Sequence, residues 1–196
     1  MKHNNIVSGV TVLLALILIV FCVILATPAH AYDGTRITTA RQDALHEAAD
    51  ILRSCGYADD SDVIKTIQAE WRAEQEKLDI IAKVIAHEAP PEWCEWDHSV
   101  AVGVVVLNRV ASPLFPNTVR EVVAAPGQYL RSYTYDFADT SRIAYEAAAA
   151  ALDGAHDVPE DCYWQDTHVQ GAAIWRAFTV DTGWYRSTTY ICRGVS

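Results

Sequence analysis

The chain has 196 residues, 51% hydrophobic and 20% charged, with 25 acidic against 15 basic side chains and a formal net charge of −10. That composition supports a packed core and excludes a disordered chain. An acidic balance without a basic block excludes the footprint of a nucleic-acid binder, which neutralises phosphates with clustered Lys and Arg. Six Trp and nine Tyr are many for this length; aromatic faces serve cores and sugar-binding grooves alike.

Residues 6–26 form an unbroken, uncharged, mostly apolar run, preceded by Lys2 and followed by Ala29-His30-Ala31. Two readings stand side by side. The small-x-small triplet is a signal-peptidase type of site, whereas the length of the run matches a membrane-spanning anchor. Either one places Lys2 inside and the remainder outside, so the protein is expected to be extracytoplasmic, secreted or held at the cell membrane. Cys22 lies in the run; Cys55, Cys94, Cys162 and Cys192 remain. An even number outside the cytoplasm predicts up to two disulfides, with three possible connectivities. No C-x-x-C pair is present, which disfavours a zinc knuckle or a thioredoxin-like site.

Residues 35–55 carry Ala44, Leu45, Ala48, Ile51, Leu52 and Cys55 at helical spacing. Gly56 and the acidic run 59–62 end that helix and open another, with Asp60 or Ser61 as its N-cap. The second helix spans residues 63–89 on a stripe of Ile64, Ile67, Trp71, Leu78, Ile81 and Ile85; Glu74 interrupts the stripe and Glu88 ends it. Pro90-Pro91 must stop it, because the second ring bars helical geometry before it and neither proline donates. Residues 99–110 are apolar nearly all round. Their length, Ala and Gly favour a buried helix over the strand that the valines alone indicate. Asn117 is placed to cap a short helix to Val123, and Pro126-Gly127 is a turn. Residues 140–152 form an alanine-rich helix stopped at Gly154. Residues 163–168 and 188–192 read as short strands. The class is α+β, mostly helical, with a small late sheet.

Glu88 stands at a forced helix end, on an apolar stripe. Helix C-terminal carbonyls and apolar neighbours both disfavour a carboxylate there. The expectation is a mostly buried acid with a raised pKa, suited to general acid catalysis. A surface glutamate at a frayed end is the plainer reading of the spacing alone. His87-Glu88 begins an H-E-x-x-H motif, but Pro91 occupies the second ligand position, so no metal site and no cofactor are expected. Neither a G-x-S-x-G elbow nor a nucleotide-binding loop is present. The remaining pool is carboxylates: Glu74, Glu88, Glu92, Glu95 and Asp97.

Three blocks resemble a known family. Ile80-Ile81-Ala82-Lys83-Val84-Ile85-Ala86-His87-Glu88-Ala89 comes first, then the greasy run ending Val106-Leu107-Asn108-Arg109-Val110. The segment from Ser112-Pro113-Leu114-Phe115-Pro116-Asn117 to Pro126-Gly127-Gln128-Tyr129 follows. Their order and spacing resemble the cell wall hydrolases of the spore-cortex-lytic type (SleB/CwlJ-like). The resemblance runs from about Leu78 towards the C-terminus. It implies a lysozyme-like catalytic domain that cuts peptidoglycan between N-acetylmuramic acid and N-acetylglucosamine, with Glu88 as the single catalytic acid. In place of the family's small, basic, glycine-containing turn after Glu-Ala, this chain carries Pro90-Pro91-Glu92-Trp93-Cys94.

The implied organisation is a signal peptide or anchor over 1–31, a helical N-terminal region over 32–77 and a catalytic domain over 78–196. Peptidoglycan is the expected partner, nucleic acid is not, and the membrane is a partner only through an uncleaved N-terminal segment. Gln128, Tyr129, Asn108 and Trp93 are the candidate substrate contacts, although Asn108, like Arg109, is weighted towards a structural role because buried polar groups need partners. A single acid fits a lytic transglycosylase. Hydrolysis requires a second carboxylate, about 5 Å away for retention or further for inversion, and Glu92 is nearest in sequence. A catalytically silent wall-binding protein on the same fold is the alternative outside enzymology. The resemblance further implies Cys192 as the partner of Cys94, since late strands in the family pack towards the active-site half.

Overall fold

The computed structural model describes residues 37–129 and 140–194. The apolar run 6–26 and Cys22 lie outside the described residues. Among the described residues, no helix is long and apolar enough to cross a membrane. The chain divides into two compact units between Gln75 and Glu76.

The first unit contains α1 (Ala40–Ser54) and the beginning of α2 (Asp62–Glu88). Helix α1 opens on a capping box. Gln42 N donates to Thr39 Oγ1 at 3.2 Å, and Thr39 N donates to Gln42 Oε1 at 3.0 Å. Leu45, Ala48, Ala49, Ile64 and Ile67 form the core, with Leu52, Val63 and Trp71 against it. Glu74, the break in the apolar stripe, is buried, with Arg41 Nε 3.9 Å away. A buried carboxylate needs such a partner to offset its lost hydration.

The second unit contains the rest of α2, then α3 (Trp96–Ala111), α4 (Val119–Ala124), α5 (Arg142–Leu152) and strands β1 (Cys162–Asp166), β2 (Ala173–Asp181) and β3 (Arg186–Arg193). The valine-rich run is helical and buried, with Val100, Ala101, Val102, Val104, Val105 and Val106 all shielded from water. Gly103 shows how three helices converge on it. A Cβ there would stand 3.0 Å from Ala151 Cβ in α5, and 3.1 and 3.3 Å from Ile81 and Ile85 in α2. Helix α4 is capped by Thr118, whose Oγ1 accepts from Glu121 N at 3.2 Å, one residue later than the Asn117 expected from sequence. Ser141 caps α5.

The three strands form one antiparallel sheet in the order β1-β3-β2. Cys192 pairs with Trp164 on one side and Ile174 on the other. Strand β2 was not expected from sequence; only Phe178 along it is buried, so it lacks a strong inside–outside alternation. The fold is thus α+β, mostly helical, with a small late sheet.

The disulfide expectation fails. Cys55, Cys94, Cys162 and Cys192 are all free thiols, so the proposed Cys94–Cys192 pair is not formed. An even cysteine count supplies the capacity for bridges. Bridging also needs Cα atoms within about 7 Å and converging Cβ vectors, which a count does not encode. Burial pushes the Cys162 thiol up to about 11, which suppresses its thiolate and with it nucleophilic chemistry.

Candidate active site

Glu88 is the last residue of α2. It is exposed, not mostly buried as its place on the stripe implied. The cause is how α3 lies on α2. Ser99 Oγ donates to the carbonyl of Ala89 at 2.7 Å, and Gly103 meets Ile81 and Ile85. Helix α3 therefore covers the line of residues 81, 85 and 89. Glu88 projects about 100° round the helix from Ala89 and stays open.

The chain turns at once. Trp93 N and Cys94 N both donate to the carbonyl of Pro90, at 3.0 and 2.9 Å. This tight turn leaves Trp93 75% exposed and Trp96 45% exposed beside the acid.

The end of α3 builds the other half of the site. Asn108 Nδ2 donates to the carbonyls of Pro159 at 2.8 Å and Cys162 at 3.0 Å. Both amide hydrogens are committed to backbone, so Asn108 is a clamp between α3 and β1. Arg109 is buried. Its Nε donates to the carbonyl of Tyr163 at 2.6 Å and its Nη1 to Gln128 Oε1 at 2.5 Å. Its guanidinium carbon lies 5.3, 5.4 and 5.5 Å from the ring centroids of Tyr129, Phe115 and Trp164. Cation–π attraction and directed hydrogen bonds together offset the cost of burying this charge. Arg109 holds Gln128 by its carbonyl oxygen and so presents the amide nitrogen of this exposed residue as a donor.

Tyr129 is buried, and its hydroxyl has no hydrogen-bond partner among the described residues. Burial pushes the phenol up to about 12; Arg109 opposes the rise and the Glu88 carboxylate adds to it. The phenol is therefore a protonated donor at neutral pH, within electrostatic reach of Glu88. An open depression of about 730 Å³ lies beyond the end of α3, lined by Ser112, Phe115, Pro116, Asn117 and Glu121. It does not include Glu88. Glu121 there accepts from Thr118 Oγ1 at 2.8 Å and serves the cap of α4.

Of the five residues expected at the site, Tyr129 is reached by the charge of Glu88 and adjoins Gln128. Trp93 lies in the loop that follows Glu88. Asn108 belongs to the framework. Sequence reasoning missed the scale of the aromatic cage round Arg109, above all Trp164 and Phe115. The available signal was a lone cation on a helix greasy on every side.

These features define an α+β domain whose candidate chemistry is that of carboxylates. Residues 96–190, a little under half of the chain, match the family model described as Cell Wall Hydrolase, so over that stretch the chain is similar to the cell wall hydrolase family. That likeness supports a hydrolase acting on the cell wall. Asn108, Gln128 and Tyr129 lie within the matched residues; Glu88 and Trp93 precede them. Comparison with curated proteins and with solved structures found no match.

Proposed function

We propose that the domain cleaves the glycan strand of peptidoglycan between N-acetylmuramic acid and N-acetylglucosamine as a lytic transglycosylase, with Glu88 as its single acid–base group. The observation that carries this reading is the match of residues 96–190 to the Cell Wall Hydrolase family model, with the exposed Glu88 carboxylate standing at the end of α2 just before them. Asp97 pairs with Arg176, Asp161 with Arg193, and Glu121 serves the cap of α4. Glu88 protonates the departing glycosidic oxygen. The resulting carboxylate takes the proton of the muramic 6-hydroxyl, whose oxygen closes on the anomeric carbon to give a 1,6-anhydro end. One carboxylate serves both steps. Its exposure in the free protein leaves room for a glycan strand, which on binding expels water from round the acid. Trp93 supplies an apolar face for a sugar ring and Gln128 a donor for its polar groups. Because peptidoglycan lies outside the cytoplasmic membrane, the same reading places the domain extracytoplasmically.

Digestion of purified peptidoglycan followed by mass analysis of the muropeptides tests it. Anhydromuramic ends are expected. Reducing muramic ends would replace the transglycosylase by a muramidase with a second carboxylate. No cleavage under any condition would leave the silent wall-binding protein.

A further inference from the structure

Strands β2 and β3 meet in a hairpin tip, residues 182–185, that holds two aromatic side chains out into solvent. Trp184 is 90% exposed and Tyr185 54%; their ring centroids are 6.4 Å apart and the planes tilted by 51°. The tip is held in shape. Thr182 N donates to the carbonyl of Tyr185 at 2.9 Å, Tyr185 N to Thr182 Oγ1 at 3.2 Å, and Gly183 N to Asp181 Oδ1 at 2.9 Å. Gly183 has φ +85°, which lets the turn close without a Cβ penalty. A preformed aromatic pair loses little freedom on binding, so it is suited to recognition.

The tip is also placed relative to the candidate site. His98, in the first turn of α3, stacks on Phe178 of β2 with centroids 4.7 Å apart and planes within 5°. Arg176 of the same strand donates to Asp97 at 2.9 Å. Phe178 is three residues from Asp181, the end of β2, and three residues of extended strand reach about 10 Å. The tip thus stands about one such length beyond the first turn of α3, the turn into which exposed Trp93 and Trp96 lead.

We propose that the Trp184–Tyr185 tip is a second glycan-binding site, a remote subsite that holds a further stretch of the polysaccharide strand cleaved at Glu88; this rests on the function proposed above. A pyranose ring offers a face of C–H groups that packs on an aromatic ring, with hydroxyl and N-acetyl groups round its edge. The tip matches that pattern, with Trp184 and Tyr185 as faces and Thr182, Asp181 and Arg186 as polar neighbours. Charge argues against an anionic bilayer as the occupant. The chain carries −10 overall, and the cation at the tip, Arg186, lies 3.9 Å from Asp181.

The test uses the full chain carrying Glu88→Gln, so that substrate is bound without being consumed, in co-sedimentation with purified insoluble peptidoglycan. Adding Trp184→Ala and Tyr185→Ala together is expected to weaken retention by about tenfold, while the melting temperature stays the same because both side chains are exposed. Trp184→Phe is expected to keep most of the binding. Any retention by vesicles of anionic phospholipid is expected to be equal for the two proteins, because the apolar run 6–26 is common to both. Equal retention of the parent and the double-alanine chain overturns the subsite and leaves the proposed function standing. So does vesicle binding that disappears in the double-alanine chain. Failure of the Glu88→Gln parent itself to bind peptidoglycan overturns both.

Discussion

Arg109 donates from Nε to the carbonyl oxygen of Tyr163 at 2.6 Å, joining the last turn of α3 to the second residue of β1. Through Nη1 the same guanidinium holds Gln128, so one planar group fixes a strand, a turn and the aromatic rings between them. Lysine cannot reproduce that fork. Arg109→Lys is expected to lower unfolding stability by about 2 kcal/mol or more, read from denaturant unfolding. It is also expected to reduce lytic activity through loss of Gln128 positioning. Unchanged stability would show that the cage does not depend on the guanidinium.

The acid assignment rests on a contrast between two neighbours. Glu88→Gln keeps the size of the side chain and removes its transferable proton. Activity is expected to fall by about 10²-fold or more, with peptidoglycan binding intact and stability unchanged, because Glu88 is exposed. Glu92→Gln is expected to keep most of the activity. Equal large losses in both variants would point to a two-carboxylate hydrolase, and full activity in Glu88→Gln would refute the acid.

Tyr129 separates stability from function. Its buried hydroxyl has no partner among the described residues, and an unsatisfied buried donor costs about 1–3 kcal/mol. Tyr129→Phe is expected to raise stability by about 1 kcal/mol and to lower activity about tenfold if the phenol donates to bound substrate or to Glu88. Gain in stability without loss of activity would make Tyr129 a packing residue alone.

His98 gives the fold a pH dependence. Its ring is buried against Phe178 with neither nitrogen hydrogen-bonded among the described residues, and burial lowers its pKa from 6.5 to about 4. Above pH 6.5 the ring is neutral in folded and unfolded chains alike, and its contribution to stability is fully present. Between pH 6.5 and about 4 only the unfolded chain binds the proton, so stability falls by at most about 1.4 kcal/mol per pH unit. Below about 4 the loss levels off. Unfolding midpoints measured across this window are expected to show that slope in the parent and a flatter one in His98→Phe.

Much of the framework was legible from local chemistry. The end of α2 follows from Pro90-Pro91, the burial of α3 from its unbroken apolar run, and the stop of α5 from Gly154. Each is decided by backbone geometry or by periodicity within a few residues of itself. The three family blocks likewise lie within about fifty residues of chain. The capping of α4 by Thr118 in place of Asn117 is the size of error expected where adjacent residues both have capping side chains.

What the tertiary structure decided are relationships across long stretches of chain. Arg109 bonds Tyr163 fifty-four residues away, and no periodicity encodes that pairing. Strand β2 exists because β3 supplies its hydrogen bonds; only one of its side chains is buried, so it carries little pattern of its own. The four thiols are free although their even number would allow two bridges. Glu88 is open although its helix stripe is buried, because α3 covers one side of that stripe and leaves the next residue round the helix in solvent. Sequence alone determined the pool of carboxylates from which an acid could be drawn. Packing decided which of them face solvent and which hold the framework, because both depend on where distant segments come to rest.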